Sequence, residues 1–183
     1  MPESDHPEIP ENPDIGLMLE VVSGSETAFT ELIHRHQSGL LNFFTRMGAY
    51  SDAEDLVQET FVRLYKARSR YRPTAKFTTY LYVVARHVWA DLGRKAMRRD
   101  RLHGSLKTDA EIDWGASQPA PAFGLDVKEA LAGLSPKLRE VIVLNVYQGL
   151  QYQEVAEVLG IPLGTVKSRM NMAIQELRRS FEE

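Results

Sequence analysis

No stretch of consequence in this chain alternates apolar and polar residues with the period of two that a half-buried strand needs. The patterned stretches repeat every three or four residues, so the chain is confined to helices. Between Glu26 and Met47 the residues Phe29, Leu32, Ile33, Leu40, Leu41 and Phe44 recur mostly at helical spacing, and Gly48 is placed to end the segment. Ser51 and Glu54 fit a capping box, with Asp52, Glu54 and Asp55 complementing the positive end of a second helix that runs to about Arg70. Pro73 breaks that pattern. A third helix, from about Thr78 to Arg98, places Leu81, Val84, Ala85, Val88 and Leu92 on one stripe and Val83, Arg86, His87, Ala90 and Arg94 opposite it.

The stretch from Leu102 to Gly124 has little periodicity and collects Gly, Ser, Pro and acidic residues, which reads as a linker. Beyond it, Ser135 followed by Pro136 is a good helix start, and the pattern continues to Gly149. The expected fold is all-α: two small helical domains joined by a flexible linker. At 183 residues the chain is long enough for two such units. Its acidic, Pro-rich first 22 residues read as a flexible leader rather than a targeting segment, and no apolar run approaches the roughly 20 residues that span a bilayer. A cytoplasmic protein without membrane insertion is expected. Cysteine is absent, which rules out a disulfide framework, a thiolate zinc site and a cysteine nucleophile.

A net charge of −3 conceals strong segregation. Residues 1–59 carry 12 acidic and 2 basic side chains, residues 60–107 carry 13 basic and 2 acidic, and residues 108–183 carry 7 basic and 11 acidic. A central block this basic suits a polyanion, because each neutralised phosphate releases condensed counterions. The third part holds the clearest local motif. Ala156, Gly160 and Val166 have the spacing of a helix-turn-helix: a small residue for close approach, a glycine for the turn, and an apolar residue that locks the second helix inward. Along that second helix Val166, Met170, Ala173, Ile174 and Leu177 form an inward stripe, leaving Lys167, Ser168, Asn171, Met172 and Gln175 outward. Lys167 suits guanine and Asn171 adenine, while Arg169, Arg178 and Arg179 suit phosphates. A helical hairpin with a solvated face is the bland alternative.

Three segments, "DAEDLVQETFVRLYKA", "FTTYLYVVARHVWADLGRK" and "LSPKLREVIVLNVYQGLQYQEVAEVLGIPLGTVKSR", stand in one order along the chain. Together they resemble an extracytoplasmic-function (ECF) sigma factor of the sigma-70 family over about Gly24 to Arg179. The resemblance implies a bacterial initiation factor that binds core RNA polymerase, opens the minus 10 promoter element and reads the minus 35 element. It divides the chain into the leader (1–22), a region 2-like domain (23–101), the linker (102–124) and a region 4-like domain (125–183). The clamp helices of one large polymerase subunit and the flap of the other are the implied docking points.

On the second helix Ala53, Leu56, Val57, Thr60 and Leu64 face the core, whereas Asp55, Gln58, Glu59, Val62 and Lys66 face away. The resemblance makes Asp55, Gln58, Glu59 and Val62 the polymerase-binding set, with Gln58 and Glu59 foremost. It makes the third helix the minus 10 reader, through Phe77, Tyr80, Arg86, His87, Arg94, Lys95 and Arg98. Tyr82 and Trp89 divide evenly between base stacking and core. His87 stands where the family commonly has Asn. Minus 35 contacts fall to Thr165, Lys167, Ser168, Arg169, Asn171 and Met172. The linker acids Asp109, Glu111 and Asp113 suit either a nucleic-acid mimic or a solvated tether. An anti-sigma factor is a further partner that the resemblance allows.

Two other classes compete. A stand-alone helix-turn-helix activator would need a receiver or ligand domain, and the first half lacks the alternating strands and helices of a receiver. A metal-dependent hydrolase built on the carboxylates of Asp52 to Glu59 would need a second cluster of ligands on a facing helix, which is missing. His34 and His36 lie two residues apart, so on a helix they do not share a face. No catalytic residue, metal or cofactor is expected.

Overall fold

The computed structural model describes residues 12–102 and 127–182, with side chains described for 12–98 and 127–181. The remaining part of the expected leader and most of the linker, including Asp109, Glu111 and Asp113, lie outside the described residues. All regular elements among those described are helical.

The first unit holds α1 (Pro13–Val22), α2 (Glu26–Met47), α3 (Ala53–Ala67), which runs into a 3₁₀ turn at Arg68–Arg70, and α4 (Phe77–Leu102). Part of the stretch expected to be leader is therefore helix. Pro13 occupies the first turn, Asn12 Oδ1 accepts the Asp14 amide at 2.9 Å, and Ile15, Met18 and Val21 are buried. The helix α2 matches its expected bounds, and Gly48 ends it in the left-handed conformation at φ 109°. The capping box expected at Ser51 and Glu54 is not formed. Asp52 occupies the N-cap in an αR conformation rather than the extended one that aims a cap side chain at the first amides, and the Ser51 hydroxyl turns to Asp52 Oδ2 at 3.3 Å. Glu54 and Asp55 still stand in the first turn, where the helix dipole favours them.

The second unit contains α5 (Val127–Gly133), α6 (Pro136–Ile142), which continues as a π turn over Val143–Tyr147, α7 (Tyr152–Leu159) and α8 (Leu163–Glu182). Ser135 and Pro136 begin α6 as expected, although the serine hydroxyl makes no capping bond. A cluster of Leu131, Leu134, Leu138, Ile142, Met170 and Ala173 holds α5, α6 and α8 together.

The two units do not stand apart. One continuous apolar core runs from Met18, Leu32, Phe44 and Leu64 in the first unit to Val141, Leu144, Val155 and Val166 in the second. The helix α7 packs along α4, and α2 packs on the π turn. Polar contacts cross the same seam. Tyr82 donates its hydroxyl to Gln148 Oε1 at 2.6 Å, Lys76 pairs with Glu154 at 3.0 Å, and Arg86 Nε stands 3.6 Å from Glu140. Arg139, buried to 4% exposure, donates to the backbone carbonyl of Met47 at the end of α2 (3.2 Å). Gly39 permits this approach, because a Cβ there would lie 3.1 Å from the Tyr82 hydroxyl.

Candidate partner and nucleic-acid interfaces

The first candidate surface lies between α2 and α3. Ala53, Leu56, Val57, Thr60 and Leu64 are buried as their spacing requires, joined by Phe61, which the pattern reading omitted. Thr60 satisfies its buried hydroxyl by donating to the Leu56 carbonyl at 2.7 Å. Outward, Val62 remains 43% exposed and, with Gln58 and Lys66, rims a groove of about 450 Å³ floored by Phe29, Ile33 and Phe61. An exposed valine over an aromatic floor with a polar rim is the composition of a protein-docking patch. Asp55 is exposed but does not line the groove. Phe29 and Ile33, one turn apart on α2, enter the sequence analysis only as helical periodicity, and that spacing was the signal that α2 contributes to the groove.

Glu59 is not a free rim carboxylate. It accepts from Arg63 at 2.7 Å, Arg63 also pairs with Asp91 on α4, and Asp91 pairs with Arg94. Hydrogen bonds from Arg63 first, and then from Arg94, hold the Asp91 carboxyl down at about 2. This ladder ties α3 to α4 and engages Arg94 internally, although Arg94 stays exposed.

On α4 the expected minus 10 residues divide. His87, Arg94, Lys95 and Arg98 are exposed, and Arg86 is partly so. Phe77 is a correction: it is fully buried, 5.2 Å from the His36 ring, and presents no face to a base. That histidine is itself fixed by Asp14 Oδ2 at 2.9 Å, so the Phe77 ring packs against a side chain held between α1 and α2. Tyr82 and Trp89, which could have gone either way, are each 5% exposed and belong to the core. Tyr80 is half-buried against Tyr71, with ring centroids 5.1 Å apart. Burial raises the pKa of both phenols, that of Tyr71 to about 12, and the Tyr71 hydroxyl has no hydrogen-bond partner among the described residues.

The second surface is the outer face of α8. Ala156 and Val166 are buried, and Gly160 turns the chain at φ 63° while the Ile161 amide returns to the Ala156 carbonyl at 3.1 Å. The first helix of the pair is started by Glu154, which accepts the Gln151 amide at 2.7 Å. Lys167, Ser168, Asn171 and Met172 are exposed together, whereas Thr165 and Arg169 are half-buried. Ser168 donates to the Thr165 carbonyl at 3.0 Å. Ile174 departs from the expected inward stripe: it is 38% exposed, and Leu177 is half-buried.

Glu140, absent from every expected site, feels a basic residue from each of the two DNA-binding sets. Burial raises its pKa, while Arg86 and, more weakly, Arg169 lower it. Among the described residues no group of three or more His, Cys, Asp and Glu could hold a metal ion, and no helix is long and apolar enough to cross a membrane.

Comparison with known proteins matches residues 32–99 to Sigma-70 region 2 and residues 124–177 to Sigma-70, region 4. The chain is 31% identical to the ECF RNA polymerase sigma factor SigC of Mycobacterium tuberculosis, covering 91% of this chain and 90% of that protein. It is likewise 31% identical to the ECF RNA polymerase sigma factor SigE of Mycolicibacterium smegmatis, over 92% of this chain and 68% of the other. Among solved structures, CnrH in complex with the cytosolic domain of CnrY aligns over 92% of this chain and 96% of that one, with a TM-score of 0.69 at 26% identity. The sigma factor RpoE of Bartonella quintana, in complex with the anti-sigma factor NepR, covers 84% of this chain and 96% of that one, with a TM-score of 0.70 at 25% identity. Two helical units in this order, the second carrying a complete helix-turn-helix, together with these matches across nearly the whole chain, place the protein in the ECF group of the sigma-70 family of RNA polymerase sigma factors.

Proposed function

We propose that this chain is a promoter-specificity subunit without catalysis of its own, which docks on core RNA polymerase through the α2–α3 groove. In this reading α4 engages the minus 10 element through His87, Lys95, Arg98 and the partly exposed Arg86. The outer face of α8 reads the minus 35 element through Lys167, Ser168, Asn171 and Met172. The observation that carries it is the joint presence of an exposed, polar α8 face behind a built glycine turn and, in the other unit, an apolar groove rimmed by Gln58 and Val62. Thr165 and Arg169 sit at the margin of that face and suit the DNA backbone. The cytosolic domain of CnrY bound to CnrH, and the anti-sigma factor NepR bound to RpoE, support a protein partner of this kind here.

Co-purification with core polymerase followed by run-off transcription on a randomised promoter library tests the reading. Core-dependent transcripts that share two spaced elements are expected; failure to bind core would overturn it. Gln58→Ala combined with Val62→Ser should weaken core binding about tenfold, equivalent to roughly 1.4 kcal/mol, at unchanged helicity. An unchanged affinity would remove the groove from the assignment.

A further inference from the structure

One acid stands in the middle of the face assigned to the minus 10 element. Residues 60–107 hold 13 basic side chains and only two acidic ones, Asp91 and Asp100. On α4, His87, Asp91, Arg94 and Arg98 follow one another at spacings of four, three and four residues, so they share a face. A carboxylate there repels phosphate unless cations cover it. Two do: Arg63 reaches Asp91 Oδ2 from α3, and Arg94 reaches Asp91 Oδ1 along α4. Their hydrogen bonds, that of Arg63 first, hold the carboxyl down at about 2, so Asp91 is ionised near neutral pH.

Arg63, which belongs to no expected site, divides its donors between two acids. Its Nε goes to Glu59 at 2.7 Å and its Nη1 to Asp91. A guanidinium presents parallel N–H groups that fit both oxygens of one carboxylate, and that paired geometry is the stronger one. It is not formed here, because Glu59 holds Nε and Arg94 holds the second Asp91 oxygen. Side-chain exposures between 33% and 59% leave each of these pairs weak by itself. A competitor for one carboxylate therefore re-sorts the others.

We propose that Arg63 is a positioning residue of the promoter reader, whose choice of partner decides whether Arg94 is available to DNA. While Glu59 holds Nε, Arg63 takes one oxygen of Asp91 and Arg94 takes the other. Once Glu59 turns to a cation outside the chain, Arg63 engages both oxygens of Asp91 and Arg94 is released to a phosphate. The inference rests on the reading of α4 as the promoter-binding helix. Glu59 follows Gln58 on the helix that rims the proposed docking groove, so the carboxylate that starts the exchange lies beside that surface.

The test uses the full chain without polymerase, with Glu59→Ala standing for Glu59 drawn elsewhere. The probe is a fluorescent mixed-sequence single-stranded oligonucleotide, its affinity followed by anisotropy over a range of salt. Each phosphate contact on a single strand adds about 0.7 to the slope of log affinity against log salt. Glu59→Ala is expected to steepen the slope by about 0.7, and adding Arg94→Gln should abolish the gain. Arg63→Lys keeps the charge but cannot form the paired geometry, so in the Glu59→Ala background it should abolish the gain as well. Asp91→Asn leaves Arg94 without a charged partner and should produce the gain alone. If Arg63→Lys loses helicity by circular dichroism, the Arg94→Gln and Asp91→Asn results decide. An unchanged slope in Glu59→Ala, or a gain that survives Arg94→Gln, would overturn the exchange. Lys95→Gln with Arg98→Gln separates that failure from failure of the underlying reading. A slope that this pair lowers leaves α4 as the DNA helix, whereas a slope it leaves untouched removes both.

Discussion

At the scale of single residues, the aromatic pair Tyr71 and Tyr80 is the most informative. Tyr71 is 3% exposed, and its hydroxyl is buried without a hydrogen-bond partner among the described residues. An unsatisfied buried hydroxyl costs about 1–3 kcal/mol, so Tyr71→Phe should stabilise the fold by about 1 kcal/mol, read as a rise in the midpoint of thermal or urea unfolding. The same group gives a pH dependence. Its folded pKa, raised to about 12 mainly by burial, lies above the ordinary value of about 10. The folded state therefore keeps a proton that the unfolded state releases. This contribution is complete below pH of about 10 and is lost as pH rises toward 12. In an alkaline titration, wild type should lose stability faster across that interval than Tyr71→Phe.

At the scale of elements, the helix-turn-helix depends on one backbone conformation. Gly160 sits at φ 63°, a region in which a Cβ costs about 1–2 kcal/mol. Gly160→Ala should destabilise the second unit by about 1 kcal/mol and reduce minus 35-dependent run-off more than binding to core. Equal loss of both would show that the turn supports the whole fold rather than the aim of α8. Most of this element was legible beforehand, because Ala156, Gly160 and Val166 are local signals. The start of α3 was not, since a capping box needs a backbone angle at the cap that residue types do not fix, and Asp52 adopts the other one. The helix α1 was missed because an acidic, Pro-rich surround hid the local signals of Asn12 and Pro13.

At the scale of the whole molecule, the seam sets the behaviour of the free protein. Arg86 stands beside Glu140 and α7 lies along α4, so one cation of the proposed minus 10 reader is engaged within the chain. Gel shifts with promoter duplex should therefore show feeble binding by the isolated chain and specific binding by the holoenzyme. Tight, sequence-specific binding by the free protein would contradict both the closed arrangement and the sharing of affinity with polymerase. The groove on α2 and α3 lies away from this seam in composition, since none of its lining residues belongs to the second unit.

The sequence by itself determined the helices that repeat strongly, the turn at Gly160, and which face of α3 and α8 is apolar. These follow from a 3.6-residue period and from backbone preferences that act within a few residues. The tertiary structure decided that Phe77, Tyr82 and Trp89 turn inward, that Glu59 and Arg94 join a ladder through Arg63 and Asp91, and that Arg86 meets an acid of the other unit. A stripe records that a face is apolar without recording what covers it. Tyr82 and Gln148 are 66 residues apart, and only packing of the shared core brings such groups together.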